Sequence, residues 1–430
     1  MKKVLVIAYF YPPCNLTASQ RPASWTKYLH EFGYYPIVLT RNWEQPINKP
    51  ADISKPSGEK EVTEENENSK VIYLPYKGTL KDKLYTKYGD SKFRLVRRAL
   101  SFFELVFQNF FFSVIPFSNI YCKAEEIIAS NKSIDKIVIT ANPFVSFFIG
   151  YKLKKKFPYL KWIADYRDDW STTELGGERN FLQQIIFKLE SASERKWVST
   201  ASLVTTISDY YLSKISSFVN RDGKVLLNGF SEEDFNKVIP LEKQDELVIT
   251  YNGTLYSTQA IEIFLEGFKK VVEQYGTKLK FKLNFPGLAF DKTQAERVRS
   301  AMKGYEYLLN ITERIPREKV FELQNESHAF LMVSHTGIKG IPSSKLYEYL
   351  CFRKPIIVCP NDKDIIRDTV NDAELGIVCD STQEVFEKLS ALVDNYIANG
   401  KIPVSGNAEK IMNYSRRNQT KVLAEILDSL

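Results

Sequence analysis

The sequence has few of the residues that bind metal ions or crosslink chains. Among 430 residues there are five cysteines, at positions 14, 122, 351, 359 and 379, and three histidines, at positions 30, 328 and 335. The cysteines have neither paired nor metal-like spacing, and no HExxH or CxxC motif occurs. We therefore expect reduced, buried thiols in a cytoplasmic protein, and no metal site.

Long, uninterrupted apolar runs are also missing. The only window long enough to span a bilayer, around residues 102–117, contains charged and amide side chains and a proline, which disfavours a transmembrane helix. The apolar start of the chain is too short for a signal peptide and ends in Tyr11-Pro12-Pro13, so we interpret it as a buried first strand. No GxGxxG motif follows this strand, which argues against a dinucleotide-dependent dehydrogenase.

What the sequence does contain is a regular alternation of short apolar runs and amphipathic stretches. Predicted strands at residues 3–9 and 36–40 flank a predicted helix at residues 20–32, which is a βαβ unit of a parallel sheet. A second series of this kind starts at Leu247. Because a chain of this length usually forms two domains, we predict an α/β fold with two facing, Rossmann-like, doubly wound parallel-sheet domains and an interdomain cleft.

The polar turn at residues 228–235 is the best candidate for the domain boundary. We assign residues 1–229 to a first domain, residues 230–410 to a second domain, and residues 411–430 to a final helix that crosses back to the first domain. Within the first domain, residues 42–70 are polar and nearly free of large apolar side chains. Such a segment buries little surface, so we predict a mobile loop there.

Residues 77–117 combine positive charge with aromatic side chains. Eight basic residues and two acidic residues lie between positions 77 and 98, and seven phenylalanines follow between positions 102 and 117. Helical spacing places five apolar side chains on one stripe: Phe103, Phe107, Phe110, Phe111 and Val114. Such a segment suits the surface of an anionic bilayer. The alternative is a helical insertion that packs its phenylalanines inside the first domain, and the sequence does not decide between the two.

Ligands of open parallel sheets bind outside the carboxyl ends of the strands. Four polar loops are predicted at such ends: Tyr11–Pro13 with Arg21, Asp165–Trp170, Gly253–Thr254, and Gly340–Glu348. The last of these begins a helix that Ser343 or Ser344 can cap through its hydroxyl oxygen. Lys345 and Glu348 are three residues apart and therefore share a helix face near the positive end of the dipole, where anions bind. Taken alone, they also fit a simple surface ion pair.

The other loops allow two interpretations each. Gly253-Thr254 lets a backbone approach a phosphate closely, but it also fits an ordinary turn. In the cluster Asp165, Arg167, Asp168, Asp169 and Trp170, the indole can stack on a sugar ring and a carboxylate can bind hydroxyls or act as a base. The same residues also fit an Arg–Asp network that fixes the loop.

His335 is predicted at a strand end near Lys345. A histidine in such a position is more often structural than catalytic.

In this order and spacing, these pieces resemble the GT-B glycosyltransferases of family 4, the retaining group that includes many bacterial capsule and lipopolysaccharide enzymes. The resemblance covers nearly the whole chain. It is carried by Tyr11-Pro12-Pro13 with Gln20-Arg21, Phe32-Gly33 with Val38-Leu39-Thr40, Ala164–Trp170, Asn228-Gly229-Phe230, Tyr251–Tyr256, and Ser344–Leu350 with Lys354-Pro355-Ile356.

The resemblance implies roles for individual residues. Glu348 matches the acidic residue that binds the ribose of the nucleotide, and Lys345 matches a lysine that neutralises the diphosphate. Gly253, Thr254, Ser343 and Ser344 belong to the donor side. Tyr11, Pro13, Arg21, Asp165, Arg167 and Trp170 belong to the acceptor side. The candidate catalytic set is Lys345, Glu348 and Asp168.

Three positions depart from the family pattern. The first glutamate of its paired-glutamate motif, eight residues before Glu348, is replaced by Gly340. The usual Arg-x4-Lys pair is absent after Gly253, and the usual histidine of the first domain is absent near Asn142. Lys345 would then carry more of the diphosphate neutralisation than in relatives with the full set.

The resemblance implies a function in cell-surface polysaccharide biosynthesis. We expect transfer, with retention, of a hexosyl or N-acetylhexosaminyl group from a nucleotide diphosphate donor to a saccharide, in particular a lipid-linked one. No cofactor, no metal ion and no nucleic acid is expected, and the protein would act in the cytoplasm or on the cytoplasmic membrane surface. The alternatives are a nucleotide-sugar 2-epimerase of the same fold and a catalytically degenerate, membrane-bound partner subunit.

Overall fold

The computed structural model describes residues 1–174, 179–239, 245–402 and 406–430. These residues form two compact units, one of residues 1–227 with 417–430 and one of residues 228–416. The first unit therefore ends at residue 227, two residues before the predicted residue 229. The chain returns to this unit at residue 417, six residues after the predicted residue 411. The reason is a backbone pairing inside the second unit: the N–H of Phe230 donates to Tyr414 O (3.2 Å) and that of Arg416 to Phe230 O (2.9 Å).

The first unit contains a parallel sheet with one antiparallel edge strand. In the described residues its order is β3-β4-β2-β1-β5-β6-β7-β8. The strands are β1 (Lys2–Ala8), β2 (Tyr34–Arg41), β3 (Val62–Glu65), β4 (Lys70–Leu74), β5 (Lys136–Thr140), β6 (Lys161–Asp165), β7 (Leu203–Thr206) and β8 (Gly223–Val225). Only β3 runs antiparallel to its neighbour, β4. The central strands are apolar on both faces, as expected for a sheet covered on both sides by helices.

Residues 1–227 also form helices. They are α1 (Thr17–Tyr28), α2 (Leu80–Tyr88), α3 (Arg94–Phe107), α4 (Asn119–Ser130), α5 (Phe147–Lys156), α6 (Phe181–Val198) and α7 (Asp209–Val219). The start of α6 is set by a capping box, in which Asn180 Oδ1 accepts from the N–H of Gln183 (3.0 Å) and Gln183 Oε1 accepts from the N–H of Asn180 (2.9 Å).

Residues 42–70, which we predicted to be a mobile loop, contain a regular strand. The strand β3 pairs in register with β4, from Val62 opposite Tyr73 to Glu65 opposite Lys70. All four β3 residues are exposed, so the strand is held by its backbone ladder rather than by apolar burial. Edge strands with charged side chains are common because they resist pairing with other chains, and hydrophobic patterning does not detect them.

The second unit has a six-stranded sheet within the described residues, in the order β11-β10-β9-β12-β13-β14, and every pairing is parallel. Its strands are β9 (Glu246–Thr250), β10 (Lys280–Phe285), β11 (Leu309–Ile311), β12 (Ala329–Met332), β13 (Ile356–Val358) and β14 (Gly376–Val378). The strand order reverses between β9 and β12, because the chain first builds outward to β11 and then returns to the other side of β9. A ligand of such a sheet is expected at this switch point.

The helices of the second unit are α8 (Glu232–Asn236), α9 (Glu262–Tyr275), α10 (Lys292–Ala301), α11 (Arg317–Asn325), α12 (Ser344–Cys351), α13 (Ile365–Asp372), α14 (Thr382–Asn399) and α15 (Ala408–Met412). The closest packing joins α9 and α14 at Gly267. A Cβ at this position would lie 2.6 Å from the Cβ of Val385, so only glycine permits this approach.

A last helix, α16 (Arg416–Asp428), packs in the first unit. Leu423, Ile426 and Leu427 lie in the core of that unit. The Asp428 carboxylate accepts hydrogen bonds from Lys2 Nζ (2.6 Å) and Tyr34 Oη (2.7 Å). The apolar face of α16 and the side-chain carboxylate of Asp428 at its end therefore fix this helix in the first unit.

Two further findings can be compared with the expectations from composition. No helix of the described residues is both long enough and apolar enough to cross a membrane. Four of the five free cysteines are buried, but Cys122 is exposed, contrary to the expectation for all five. Cys122 lies on α4, a helix that the sequence interpretation did not include.

Candidate functional site

The loop between β12 and α12 lies at the switch point of the second sheet. Gly340 has a φ of +79°, a left-handed conformation that favours glycine. Ser343 is extended and occupies the N-cap of α12, but its hydroxyl makes no capping hydrogen bond. The predicted position of the helix start is therefore right and the predicted cap is wrong.

Lys345 connects α12 to the loop that follows β9. Its ammonium donates to the carbonyl of Thr254 (3.2 Å) and lies 3.9 Å from the ring centroid of Tyr251. Four residues further along the same helix, Tyr349 Oη accepts a hydrogen bond from the N–H of Asn252 (2.7 Å). The helix thus holds the Gly253 loop through two side chains one turn apart.

The charge of Lys345 is poorly compensated. Burial lowers the pKa of Lys345 to about 7, and the attraction of the Glu348 carboxylate opposes this shift. Within the described residues, no hydrogen bond or ion pair joins Lys345 to Glu348, so the interpretation as a simple surface pair does not fit. A half-buried ammonium whose contacts are a carbonyl and an aromatic ring is a strong site for an anion.

Two glycines line the neighbouring backbone. Gly253 follows β9 with φ +84°, and Gly287 follows β10 with φ +86°. A Cβ built on Gly253 would meet no atom within 4 Å, and one built on Gly287 would lie 3.7 Å from the Gly253 Cα. The space beside Gly253 is thus open, and the two loops lie against each other. Gly287 was not among the predicted site residues, although the Pro286-Gly287 turn after a strand is a visible signal.

His335 belongs to the same region. Its Nδ1 is 2.7 Å from the Thr258 hydroxyl, and its ring lies 5.4 Å from that of Tyr256. Burial, together with the positive charge of Lys345, lowers the pKa of His335. His335 contacts Thr258 and Tyr256, close in the chain to Thr254, which Lys345 contacts. His335 is therefore a further candidate that the sequence interpretation treated as structural.

Glu348 faces a second group of charges on the same unit. Burial raises its pKa, while the cationic side chains of Arg317, Arg416 and Lys345 oppose that shift and Asp234 reinforces it. Arg317 in turn forms an ion pair with Asp234 (2.5 Å) on α8. The Glu348 side chain thus lies in the middle of α12, in a largely buried environment that contains charges of both signs.

Gly340 stands where the family pattern has its first glutamate, and a glycine has no side chain that could bind a ligand. Its N–H instead donates to Asp364 Oδ2 (2.6 Å). The neighbouring Asp362 accepts from the N–H groups of Ile366 (2.7 Å) and Arg367 (3.0 Å). Both carboxylates near this loop are thus engaged with backbone N–H groups.

In the first unit, Arg21 and Asp165 form a buried ion pair with 6% and 0% side-chain exposure. Arg21 Nη1 lies 3.0 Å from Asp165 Oδ1, and its Nη2 donates to the carbonyls of Leu226 and Leu227. Thr205 also donates to Asp165 Oδ1 (2.8 Å). These contacts join α1 to the ends of β6, β7 and β8. The buried ion pair gives both residues a structural role. Their assignment to the acceptor side stays a prediction.

The remaining predicted acceptor-side residues differ in exposure. Tyr11 is buried in the core of the first unit, where its ring lies 6.1 Å from that of Tyr73. Its assignment to the acceptor side also stays a prediction. Pro13 is exposed. Trp170 is half-buried and stacks on Phe144, with ring centroids 5.0 Å apart and an interplanar angle of 3°. One face of the indole is therefore occupied.

The loop after β6 contains charged groups that differ in burial and in their partners. Arg167 donates to Asp168 (3.3 Å), whose side chain is exposed, whereas Nε and Nη1 of Arg167 are buried and have no partner in the described residues. Behind them, Glu194 accepts from Tyr166 Oη (3.0 Å) and from the N–H of Ser171 (3.0 Å). Burial raises the pKa of Glu194 to about 7. Glu194 lies inside α6, and no motif in the sequence marked it.

Comparison with known proteins finds a family model that matches most of the second unit. Residues 232–424 match the family model for Glycosyl transferases group 1. The match includes Gly253, Gly287, Lys345 and Glu348 and leaves the first 231 residues unassigned. A search of curated proteins by sequence finds no match.

Several solved structures resemble the whole chain. A sucrose-phosphate synthase from Thermosynechococcus elongatus aligns with a TM-score of 0.62 at 11% identity, over 100% of this chain and 99% of the other. An alpha,alpha-trehalose 6-phosphate synthase from Burkholderia multivorans aligns with 0.60 at 8% identity, over 100% and 96%. Anabaena HepE in complex with UDP aligns with 0.58 at 12% identity, over 100% of both chains. At such identities the likeness establishes the fold, which is the GT-B fold with two parallel-sheet domains.

Proposed function

We propose that this protein is a retaining glycosyltransferase that moves a sugar from a nucleotide diphosphate to a saccharide acceptor. The observation that carries the proposal is the environment of Lys345. Its ammonium lies at the sheet switch point beside the open backbone of Gly253, with no carboxylate bonded to it. The family match of residues 232–424 supports the same reaction class.

In the proposed reaction, the bond between the anomeric carbon and the donor phosphate oxygen breaks while a bond to the acceptor oxygen forms. Negative charge develops on the leaving diphosphate. Lys345 and the N-terminus of α12 stabilise that charge, a task of the oxyanion-hole type. The acceptor hydroxyl attacks from the face that the diphosphate leaves and gives its proton to the departing phosphate, so no protein nucleophile is required.

Glu348 has the complementary task of binding the ribose hydroxyls of the donor. Gly253, Thr254, Ser343 and Ser344 provide the backbone and hydroxyl groups around the phosphates. This donor chemistry requires no cofactor or metal ion, because Lys345 and backbone N–H groups supply the positive charge. His335 and Gly287 extend the proposed donor site beyond the residues expected from sequence.

On the acceptor side, the proposal keeps Pro13, Arg167, Asp168 and Trp170. Arg167 carries buried, unpartnered N–H groups, and Asp168 is an exposed carboxylate able to accept a proton or a hydroxyl hydrogen bond. We propose that the acceptor is a lipid-linked saccharide of a bacterial cell-surface polysaccharide, used at the cytoplasmic face of the membrane. The exposed aromatic and basic surface of residues 77–117, described below, supports a lipid-linked acceptor.

A panel of nucleotide sugars with different bases tests the donor. We expect one UDP-, GDP- or ADP-sugar to raise the unfolding temperature, and UDP is the first candidate because a solved neighbour is a UDP complex. Turnover should require an added acceptor. An epimer formed from donor alone would instead indicate a nucleotide-sugar 2-epimerase.

A degenerate partner subunit is the second candidate, and the specific observation in its favour is Gly340, which stands where the family carries a glutamate. It predicts that no nucleotide sugar in the panel shifts the unfolding temperature and that no acceptor is glycosylated.

A further inference from the structure

The helix α3 has an unusual exposure for a helix in a folded domain. None of its fourteen residues, Arg94–Phe107, is buried. Its large apolar side chains are nevertheless numerous, and several are exposed, among them Leu95 (78%) and Phe103 (53%). Exposed phenylalanines continue beyond the helix at Phe110 (59%) and Phe111 (55%). The interpretation in which the phenylalanines pack inside the first domain is therefore wrong for these side chains. It is right for Phe117, which is 4% exposed, and Phe112 packs on Phe148 with ring centroids 5.3 Å apart.

The exposed aromatic side chains form a continuous row. The rings of Phe103 and Phe107 stack with centroids 6.1 Å apart, and those of Phe107 and Phe111 are also 6.1 Å apart. Since residues four apart share a face of a helix, this row follows one side of α3. The neighbouring polar side chains have partners of their own. Glu104 of α3 pairs with Lys81 (2.6 Å), and the amide of Asn109, which follows the helix, donates to Leu105 O (2.6 Å).

Contacts with α2 hold this row in place. Besides the Lys81–Glu104 pair, the Arg97 guanidinium lies 4.8 Å from the Tyr85 ring centroid, and the rings of Tyr88 and Phe93 are 5.0 Å apart. The helix also packs against α6, whose first turn exposes two more large apolar side chains, those of Phe181 and Leu182. The aromatic row is thus part of a fixed surface and not of a loose loop.

The same surface carries excess positive charge. Of the eight cations between residues 77 and 98, Lys81 is neutralised by Glu104 and Arg97 by Asp90. The other six make no ion pair within the described residues: Lys77, Lys83, Lys87, Lys92, Arg94 and Arg98. One of the two acidic residues of this stretch, Asp82, is buried and bonded to Tyr76 and Thr79. An exposed apolar row flanked by unpaired cations complements a surface that is both apolar and anionic.

We propose that α2, α3 and residues 110–111 form a docking surface for an anionic lipid bilayer. The helix α3 lies parallel to the membrane plane, with its row of phenylalanines in the acyl boundary and the six cations at the anionic headgroups. At fourteen residues it is about 21 Å long, too short to span a bilayer, so interfacial binding is the geometry that it permits. The inference deepens the membrane part of the proposed function, and docking itself does not depend on the transfer reaction.

Vesicle flotation of the full-length protein tests the proposal directly. We expect the protein to float with vesicles of phosphatidylcholine and phosphatidylglycerol, to bind vesicles of phosphatidylcholine alone far more weakly, and to be released by high salt. The triple variant Phe103→Ser, Phe107→Ser, Phe110→Ser should lose flotation although all its cations remain. The triple variant Lys83→Glu, Lys87→Glu, Arg98→Glu should partition at least ~100-fold more weakly into anionic vesicles, since each basic residue contributes about a factor of five.

Matched controls change equally exposed residues of the second unit. Tyr307→Ser and Ile397→Ser remove exposed apolar side chains, and Lys270→Glu with Lys278→Glu reverses exposed charges. These variants should float like the unaltered protein. The circular dichroism spectrum and unfolding midpoint of every variant should match those of the parent, because the substituted side chains are exposed.

Three results would overturn the proposal. One is failure of the unaltered protein to bind anionic vesicles, and another is equal binding by the aromatic variant. The third is self-association: if the protein is a dimer that the aromatic substitutions dissociate, and it ignores vesicles, the row covers a second copy of the chain. A failure of the transferase proposal looks different, because flotation would persist while no nucleotide sugar binds.

Discussion

Arg21 in the first unit and Lys345 in the second both lie beside the carboxyl ends of parallel strands, yet their surroundings differ. Arg21 is buried against the Asp165 carboxylate and donates to two carbonyls. Lys345 is half-buried and has one carbonyl and one aromatic ring as its contacts. A cation whose charge is neutralised by the fold stabilises the fold, whereas a cation left without a carboxylate is available for a ligand.

The largest expected effect is on stability and comes from Arg21. Arg21→Met leaves the Asp165 carboxylate buried without its cation, which should lower the free energy of unfolding by about 3–5 kcal/mol. Urea denaturation measures the change. The double variant Arg21→Met, Asp165→Leu should recover most of the loss, because no unpaired charge remains. Normal stability of the single variant would contradict the structural role that we assign to the pair.

The next largest effect is on catalysis and comes from Lys345. Lys345→Ala should reduce kcat by about 10²–10³, the range for removing one charge-stabilising donor from a developing anion. The unfolding midpoint should not fall, since the ammonium has no carboxylate to lose. The matched control is Lys363→Ala, an exposed lysine of the same unit, which should leave turnover unchanged. Undiminished turnover of the Lys345 variant would refute its proposed role.

Donor binding should depend on pH through the same lysine. The pKa of Lys345 is about 7 in the unliganded protein, and a bound diphosphate favours the protonated form. Binding above pH 7 therefore requires uptake of a proton, and the affinity for the nucleotide sugar should fall by up to about tenfold per pH unit. Isothermal titration in buffers of different ionisation enthalpy detects the proton. Lys345→Arg, whose charge persists, should abolish the dependence.

The smallest effect is on the stability of the unliganded protein. Since the pKa of Lys345 is lower in the folded than in the unfolded chain, the unfolded state binds more protons between pH 7 and the ordinary lysine pKa. The buried ammonium of Lys345 therefore destabilises the folded state most below pH 7, and this effect diminishes as the pH rises. Lys345→Met should stabilise the protein by roughly 1 kcal/mol at pH 6, after allowance for solvent screening, and by less at pH 9. Thermal unfolding at the two pH values measures the difference.

Local patterning predicted many of the elements well. The apolar pattern of the sequence also predicts a helix at residues 181–198 and a strand at residues 356–358, and the bounds of α6 and β13 agree with both. These segments have strong apolar periodicity and clear start signals. The missed elements β3, α2 and α4 lie in polar or basic stretches or next to the phenylalanine-rich segment, where composition obscures periodicity. The strand β4 was also missed, although its apolar run, residues 71–74, is visible in the sequence.

Of the candidate site, too, only a part could be predicted from the sequence. The Gly-Pro-Ser loop before α12 and the strand before Gly253 were visible in the sequence, so Lys345 and Gly253 were found. Gly287 and His335 were not assigned to the site, because their relevance depends on which strands are neighbours. The sequence pattern also predicts a helix that starts at Thr258, whereas α9 starts four residues later, at Glu262. The cause is again tertiary, because Gln259 pairs with His335.

The sequence by itself determined the α/β class, the approximate division into two domains and the location of the donor-side loop, because these follow from periodicity and turn residues along the chain. Only the tertiary structure decided the partners of each charge. It placed Arg21 against Asp165, 144 residues away, and left Lys345 without a carboxylate. It also left α3 uncovered, because burial depends on which surfaces remain available after the sheet and its other helices have packed.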